Sequence, residues 1–173
     1  LEANHPTLRG KVVVIGHGFD PLAFQPQTRD PNRVLFCSAP HKGLDELIPI
    51  WDKLSRQLPS LRLSIISSQR LYGFNPPDYE KALKEKILSL PNVEELPIMP
   101  HHQLIAELGK VMLQLYPCKI ADSFGLSVMD SLAMGTPVIS YRVGGNVSSL
   151  LALAGDTPVE QLDPKAFVEK AVR

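Results

Sequence analysis

A chain of 173 residues is long enough to bury one full core and too short for two ordinary domains. Its 18 Lys and Arg balance its 18 Asp and Glu, which excludes capture of nucleic acid or anionic lipid by net charge, so any bound anion must be held locally. No apolar run approaches the roughly 20 residues of a membrane helix, no signal peptide is visible, and Cys37 and Cys118, without a CxxC spacing, suit buried reduced thiols in a cytoplasmic setting rather than a disulfide or a structural zinc site.

Residues 1–10 are polar and aperiodic and read as a linker, leaving 11–173 as one domain. The valine run from Lys11 to Ile15 predicts a buried strand. Gly16 to Pro21 begins like a dinucleotide-binding loop, but Pro21 stands where the third glycine belongs and no amphipathic helix follows, which favours a plain turn. After a turn over Arg29 to Asn32, Arg33 to Cys37 predicts a second strand and Ser38 to Gly43 a loop. Leu44, Leu47, Ile48, Trp51, Leu54 and Leu58 then recur at helical spacing. Leu61 to Ile66 is the next strand, followed by a polar loop from Ser67 to Pro77 and a helix from Asp78 to Leu90 that would bury Tyr79, Leu83 and Ile87.

Asn92 to Leu96 predicts a short strand, His101 to Leu108 a helix and Val111 to Leu115 another strand. A polar turn from Asp122 leads into a helix opened near Phe124 and Gly125, stopped at Gly135 and followed by an apolar strand. Gly144 and Gly145 break the chain before a small helix over Ser148 to Ala154, and a last helix runs from Pro164. Strands alternating with helices predict an α/β, Rossmann-like parallel sheet with helices on both faces, whose functional loops lie at the carboxyl ends of the strands.

Within that frame the helix start at Phe124 to Leu126 is an anion site, because first-turn N–H groups lack intrahelical partners and carry the positive end of the helix dipole. Lys42, between a strand and a helix, is either a phosphate contact or a solvated first-turn lysine. Asp122 is either a helix cap or an acid facing a ligand. Asp130 sits in an apolar segment where a carboxylate needs partners, which ligand hydroxyls would supply. His101 and His102 are adjacent and cannot share a helix face as metal ligands do, so helix-start packing and solvent exposure account for them. No Ser, His and acid grouping has a nucleophile-elbow setting.

The run from Asp122 through Val138 resembles the nucleotide-sugar glycosyltransferases of the GT-B fold, particularly retaining family four. Their signature is an acid, a Phe-Gly pair, a second acid eight positions on, then Ala-Met-Ala-x-Gly-x-Pro-Val; Phe124, Gly125, Leu126, Leu132, Ala133, Gly135, Pro137 and Val138 match it. Gly18 to Asp20 resembles the Gly-Val-Asp opening the second domain of these enzymes, Lys42-Gly43 their phosphate-binding Lys-Gly, and Gly144-Gly145 the Gly-Gly after the strand.

The resemblance implies one half of a GT-B glycosyltransferase, the donor-nucleotide domain. Asp122 would lie near the donor sugar and, with Lys42, serve catalysis. Asp130 would hold the ribose hydroxyls. Lys42 with Gly43, and the N–H groups around Ser123, Phe124, Gly125 and Leu126, would bind the diphosphate, with Ser38 at the strand end and the segment Ile98 to His101, Ile98 and Met99 above all, as the loop receiving the base. The leaving diphosphate would be stabilised by lysine and helix dipole, with no metal and no cofactor beyond the nucleoside-diphosphate sugar. A missing amino-terminal domain would bring the sugar, lipid or other acceptor, leaving room for peripheral membrane association, and the last helix would be truncated; this part alone would bind donor weakly and transfer little. Three features depart from the pattern. Both acids are Asp rather than Glu, a loss of reach on the order of 1 Å. Cys37-Ser38 replaces the usual Gly-Arg. The third is the absent acceptor domain. These motivate an alternative, a non-catalytic binding or assembly module of the same fold, and a nucleotide-sugar epimerase half is a further one.

Overall fold

The structure, a computed structural model, describes residues 5–11, 13, 18, 20–72, 78–145, 159–160 and 162–172. Five strands form one parallel sheet: β1 Asp30–Cys37, β2 Arg62–Ile66, β3 Val93–Glu95, β4 Val111–Tyr116 and β5 Val138–Ser140, in the order β3-β2-β1-β4-β5. Helices α1 Leu44–Gln57, α2 Asp78–Leu88, α3 His101–Gly109, α4 Leu126–Ala133 and α5 Pro164–Val172 cover both faces. This is the expected Rossmann-like architecture.

The continuous apolar run of β1 follows from its central place, since alternate side chains leave a strand on opposite faces and here both are dry. Val34 and Phe36 join Leu63, Ile65 and Leu115 beneath α1, α2 and α5, where Trp51, Ile87 and Phe167 are fully buried. Leu35 and Cys37 point the other way, onto Ile66, Leu108 and Val111 under α3. A smaller cluster of Tyr116, Cys118, Val128 and Val138 seats α4. At the start of β1, Arg33 is held by Ser64 Oγ at 2.8 Å and Glu107 at 2.9 Å, joining three elements through one partly buried guanidinium. Burial raises the Glu107 carboxyl, but hydrogen bonds from Lys110 and Arg33 outweigh it and hold the group below its ordinary range.

Four expectations are corrected. The strand predicted over Lys11 to Ile15 is not supported where it is described: Lys11 lies in a turn and Val13 is 81% exposed outside any strand. Residues 12 and 14–15 lie outside the described residues, as do Phe19 of the Gly18 to Asp20 match, 73–77 of the long loop and the helix predicted at Ser148 to Ala154. The turn at Arg29 to Asn32 is largely strand, because Asp30 N–H bonds to Lys110 O and pairs β1 with β4 early; Pro31, which has no N–H, falls in the irregular stretch before Val34. Finally, α2 ends at Leu88, two residues short of the expected Leu90, and Tyr79 is 46% exposed, its inward place taken by the neighbouring acid Glu80. Glu80 Oε2 accepts the Gln69 N–H at 3.1 Å and Lys84 lies 3.4 Å from Oε1, so the buried face runs Glu80, Leu83, Ile87.

Among the described residues no helix is long and apolar enough to cross a membrane. Trp51 is fully buried and donates its Nε1–H to Pro91 O at 2.9 Å. Trp51→Ala is expected to cost about 3–5 kcal/mol, read as a lowered midpoint in urea denaturation at unchanged slope.

Candidate functional site

Strand order reverses between β1 and β4, and in open α/β sheets the crevice beyond the carboxyl ends of the strands at such a point is where ligands bind. A cavity of about 400 Å³ lies there. The loop after β1 contributes Ser38 and Lys42, the loop after β4 contributes Asp122 to Gly125, α4 contributes Leu126, Ser127 and Asp130, and α3 contributes His101 and Leu104; Cys37 and Tyr116 also line it.

Glycines set this geometry. Gly125 adopts left-handed backbone, φ 74° and ψ 61°, and its carbonyl accepts the N–H groups of Val128 and Met129, so α4 starts at Leu126 with no side chain closing its end. Gly43 does the same for α1 at φ 111°, and a Cβ on it would lie 2.6 Å from Pro117 O. Two helix starts without side-chain caps therefore open at the same sheet edge. Gly145 presses onto the Asp122 loop from a third side: its N–H bonds to Asp122 O at 2.7 Å, and a Cβ would stand 2.0 Å from Ser123 O. Gly135 closes α4 at φ 71°, with Thr136 N–H on Ser131 O and Gly135 N–H on Leu132 O, the paired bonds of a Schellman motif.

Lys42 Nζ lies 2.8 Å from Asp122 Oδ2, and the Tyr116 hydroxyl donates to the same oxygen at 2.9 Å. Asp122 is thus not the cap of α4. Burial pushes its carboxyl up, but the hydrogen bonds from Lys42 and Tyr116 and the Lys42 charge hold it below the ordinary range. Burial pushes the Tyr116 hydroxyl well up, Cys118 and Asp122 adding to it. Burial, then the Asp130 charge, pushes the Cys37 thiol up to about 12, so it is no nucleophile. Asp130, with a side chain 14% exposed, meets His101 Nε2 at 2.8 Å from Oδ2.

Of the residues singled out in the sequence, Ser38, Lys42, Asp122, Ser123, Phe124, Gly125, Leu126 and Asp130 converge on this cavity, with Gly43 shaping its wall. Ile98 instead lines a separate hollow of about 580 Å³ with Arg70, Glu80 and Lys84, and Met99 packs with Leu35, Cys37 and Ile66. Tyr116 is not singled out by the sequence, and His101 is expected there only as an exposed helix start and the end of the base-receiving segment, with no link to Asp130. Tyr116 looked like one more apolar strand residue. His101 is exposed, as expected, yet reaches a carboxylate 29 positions away; the signal for it was that Asp130, in an apolar segment, had to find a partner. Among the described residues no group of three or more His, Cys, Asp or Glu is placed to hold a metal ion.

Asp122, its carboxyl held below the usual range when folded, adds stability that is present above the unfolded carboxylate value of about 3.9 and is lost as pH falls through the folded value. The difference in melting temperature between wild type and Asp122→Asn should therefore be constant near neutrality and shrink below about pH 4.

Residues 31–173 match the family described as glycosyl transferases group 1. The chain is 31% identical over 106 residues to a D-inositol 3-phosphate glycosyltransferase of Segniliparus rotundus, a match covering 61% of this chain and 23% of that protein. It is 27% identical over 158 residues to the enzyme of that name from Mycolicibacterium smegmatis, covering 84% of this chain and 35% of the relative. The chain thus spans about a quarter to a third of the length of these relatives. Among solved structures, the C-terminal domain of the glycosyl transferase group 1 family protein LpcC from Francisella tularensis superposes with a TM-score of 0.69 at 14% identity, covering 90% of this chain and 86% of that one. The chain belongs to the glycosyl transferases group 1 family and has the Rossmann-like domain of its GT-B fold.

Proposed function

We propose that this domain binds the nucleoside-diphosphate sugar of a retaining glycosyltransferase, which moves the sugar to an acceptor. What supports the reading is the convergence, in one cavity at the switch point, of the Lys42 ammonium, the glycine-opened start of α4 and the carboxylates of Asp122 and Asp130. The diphosphate lies against Lys42 and the first-turn N–H groups of α4, where fixed positive charge meets the negative charge that grows on the leaving group as the glycosidic bond breaks. Lys42 exchanges Asp122 for phosphate oxygens, and the released carboxylate turns to the sugar. Asp130 accepts hydrogen bonds from the ribose hydroxyls, as an ionised carboxylate can only accept. Because these groups carry the counter-charge, we expect no metal requirement. The acceptor, a sugar, a lipid or a phosphorylated polyol such as the two relatives are named for, is met by a preceding domain; the domain alone binds without transferring.

A second reading, a binding module without catalysis, is favoured by one observation: Asp122 is tied to both Lys42 and Tyr116 on a side chain one methylene shorter than the family's Glu. Activity of the full-length protein in the Asp122→Glu and Asp130→Glu forms, against none in the parent on a broad donor and acceptor panel, selects it.

Calorimetric titration with UDP, GDP and ADP and their sugars tests the donor reading. Saturable binding of one of them is expected, unchanged by EDTA and weakened at least about tenfold in Lys42→Ala, the scale of one lost charge-assisted bond. No binding by any of them contradicts it.

A further inference from the structure

Asp130 and His101 form a couple that the diphosphate site does not use. His101 is the first residue of α3, and its backbone is fixed there because Gln103 and Leu104 donate their N–H groups to Pro100 O. Its Nε2 lies 2.8 Å from Asp130 Oδ2. An ionised carboxylate has no proton to give, so Nε2 carries the hydrogen and donates. Both side chains line the cavity, and among the described residues no donor reaches the second carboxylate oxygen, Oδ1. A carboxylate on a single methylene can rotate about its last torsion, a broad and weakly restrained one. The imidazole removes that freedom by pinning Oδ2, which sets the direction in which Oδ1 and the remaining lone pair of Oδ2 face. Two acceptor sites on one fixed carboxylate are the complement of a vicinal diol, whose two hydroxyls donate side by side.

We propose that His101 is a positioning residue that locks the Asp130 carboxylate for the 2′,3′-diol of a ribonucleotide, and so determines discrimination for ribose in this domain. The assignment rests on the donor reading above. His101 acts through Asp130 and touches no reacting atom. It makes up for the short side chain: where a longer acid could reach the diol by its own extension, Asp130 relies on a neighbour to hold it in place.

The test is calorimetric titration of the chain with three probes: the nucleoside diphosphate that binds, its 2′,3′-dideoxy counterpart, and inorganic pyrophosphate. Wild type is expected to favour the ribonucleotide over the dideoxy form. In His101→Ala the ribonucleotide should weaken about tenfold, pyrophosphate should stay unchanged, and the ribo-to-dideoxy ratio should collapse. His101→Gln, which keeps an N–H donor, and His101→Ala combined with Asp130→Glu should each recover most of the ratio, and melting temperatures near wild type show that the variants fold. A ratio in His101→Ala equal to that of wild type overturns the proposal, as does an equal loss for pyrophosphate, which would mark His101 as a general charge or packing residue. Wild type that binds pyrophosphate and the dideoxy form as well as the ribonucleotide overturns the ribose assignment while leaving the diphosphate site standing. Wild type that binds none of the probes overturns the donor reading and this proposal together.

Discussion

The site depends on backbone approaching backbone with no side chain between. Gly43 abuts Pro117, Gly144 abuts Asp122 and Gly145 abuts Ser123, at distances where a single added carbon would collide. Three loops from three strand ends are thereby locked into one unit. Lys42 meets Asp122 across 80 residues of sequence because the glycine next to it lets the first loop touch the second. Neither helix start carries a capping side chain, and at α4, whose first residues line the cavity, the first-turn N–H groups are left to whatever anion enters. The same small residues therefore build the wall and leave the charge unanswered, which joins packing to binding.

The sheet supplies the rest by ordinary means. With β1 central and covered on both sides, its carboxyl end is held by two dry layers, so the loop that follows leaves from a fixed point. The same holds for β4 through Leu115 on one side and Tyr116 on the other. A crevice between rigid strand ends positions side chains better than a free loop would, since little ordering remains to be done when a ligand arrives.

Much of this could be read in advance, and what could not has identifiable causes. Helix α1 and the strands β1, β2 and β4 announced themselves because apolar spacing survives in a sequence wherever one face is uniformly dry. The face of α2 differs from expectation at one position because an acid, Glu80, occupies the buried row, and hydrophobic periodicity is blind to a carboxylate that accepts the Gln69 N–H on one oxygen and faces the Lys84 charge with the other. The early start of β1 was hidden by Pro31, which looks like a turn and is accommodated at an irregular step of the ladder. In the site, Lys42, Asp122, Phe124, Gly125 and Asp130 were legible because the pattern around them is local. Tyr116 was not, because its hydroxyl sits at the end of an apolar strand whose spacing says only that it is buried, and the link of His101 to Asp130 was not, because no spacing rule connects residue 101 to residue 130. Gly144 and Gly145 were visible as a break, while their purpose, a contact with the Asp122 loop, belongs to the tertiary structure alone.

The two thiols carry one more consequence. Cys37 lies at the end of the central strand and Cys118 just past the neighbouring one; both are free and buried, and burial pushes both up. An alkylating reagent needs a thiolate and a path to it; Cys37 lines the cavity and lacks only the thiolate, whereas Cys118, 1% exposed and outside the cavity lining, lacks both. Labelling of Cys118 therefore counts openings of the loop after β4 rather than surface chemistry. The protein contains its own clock for how often the loops around its cavity come apart, at the place where that motion would matter to a bound ligand.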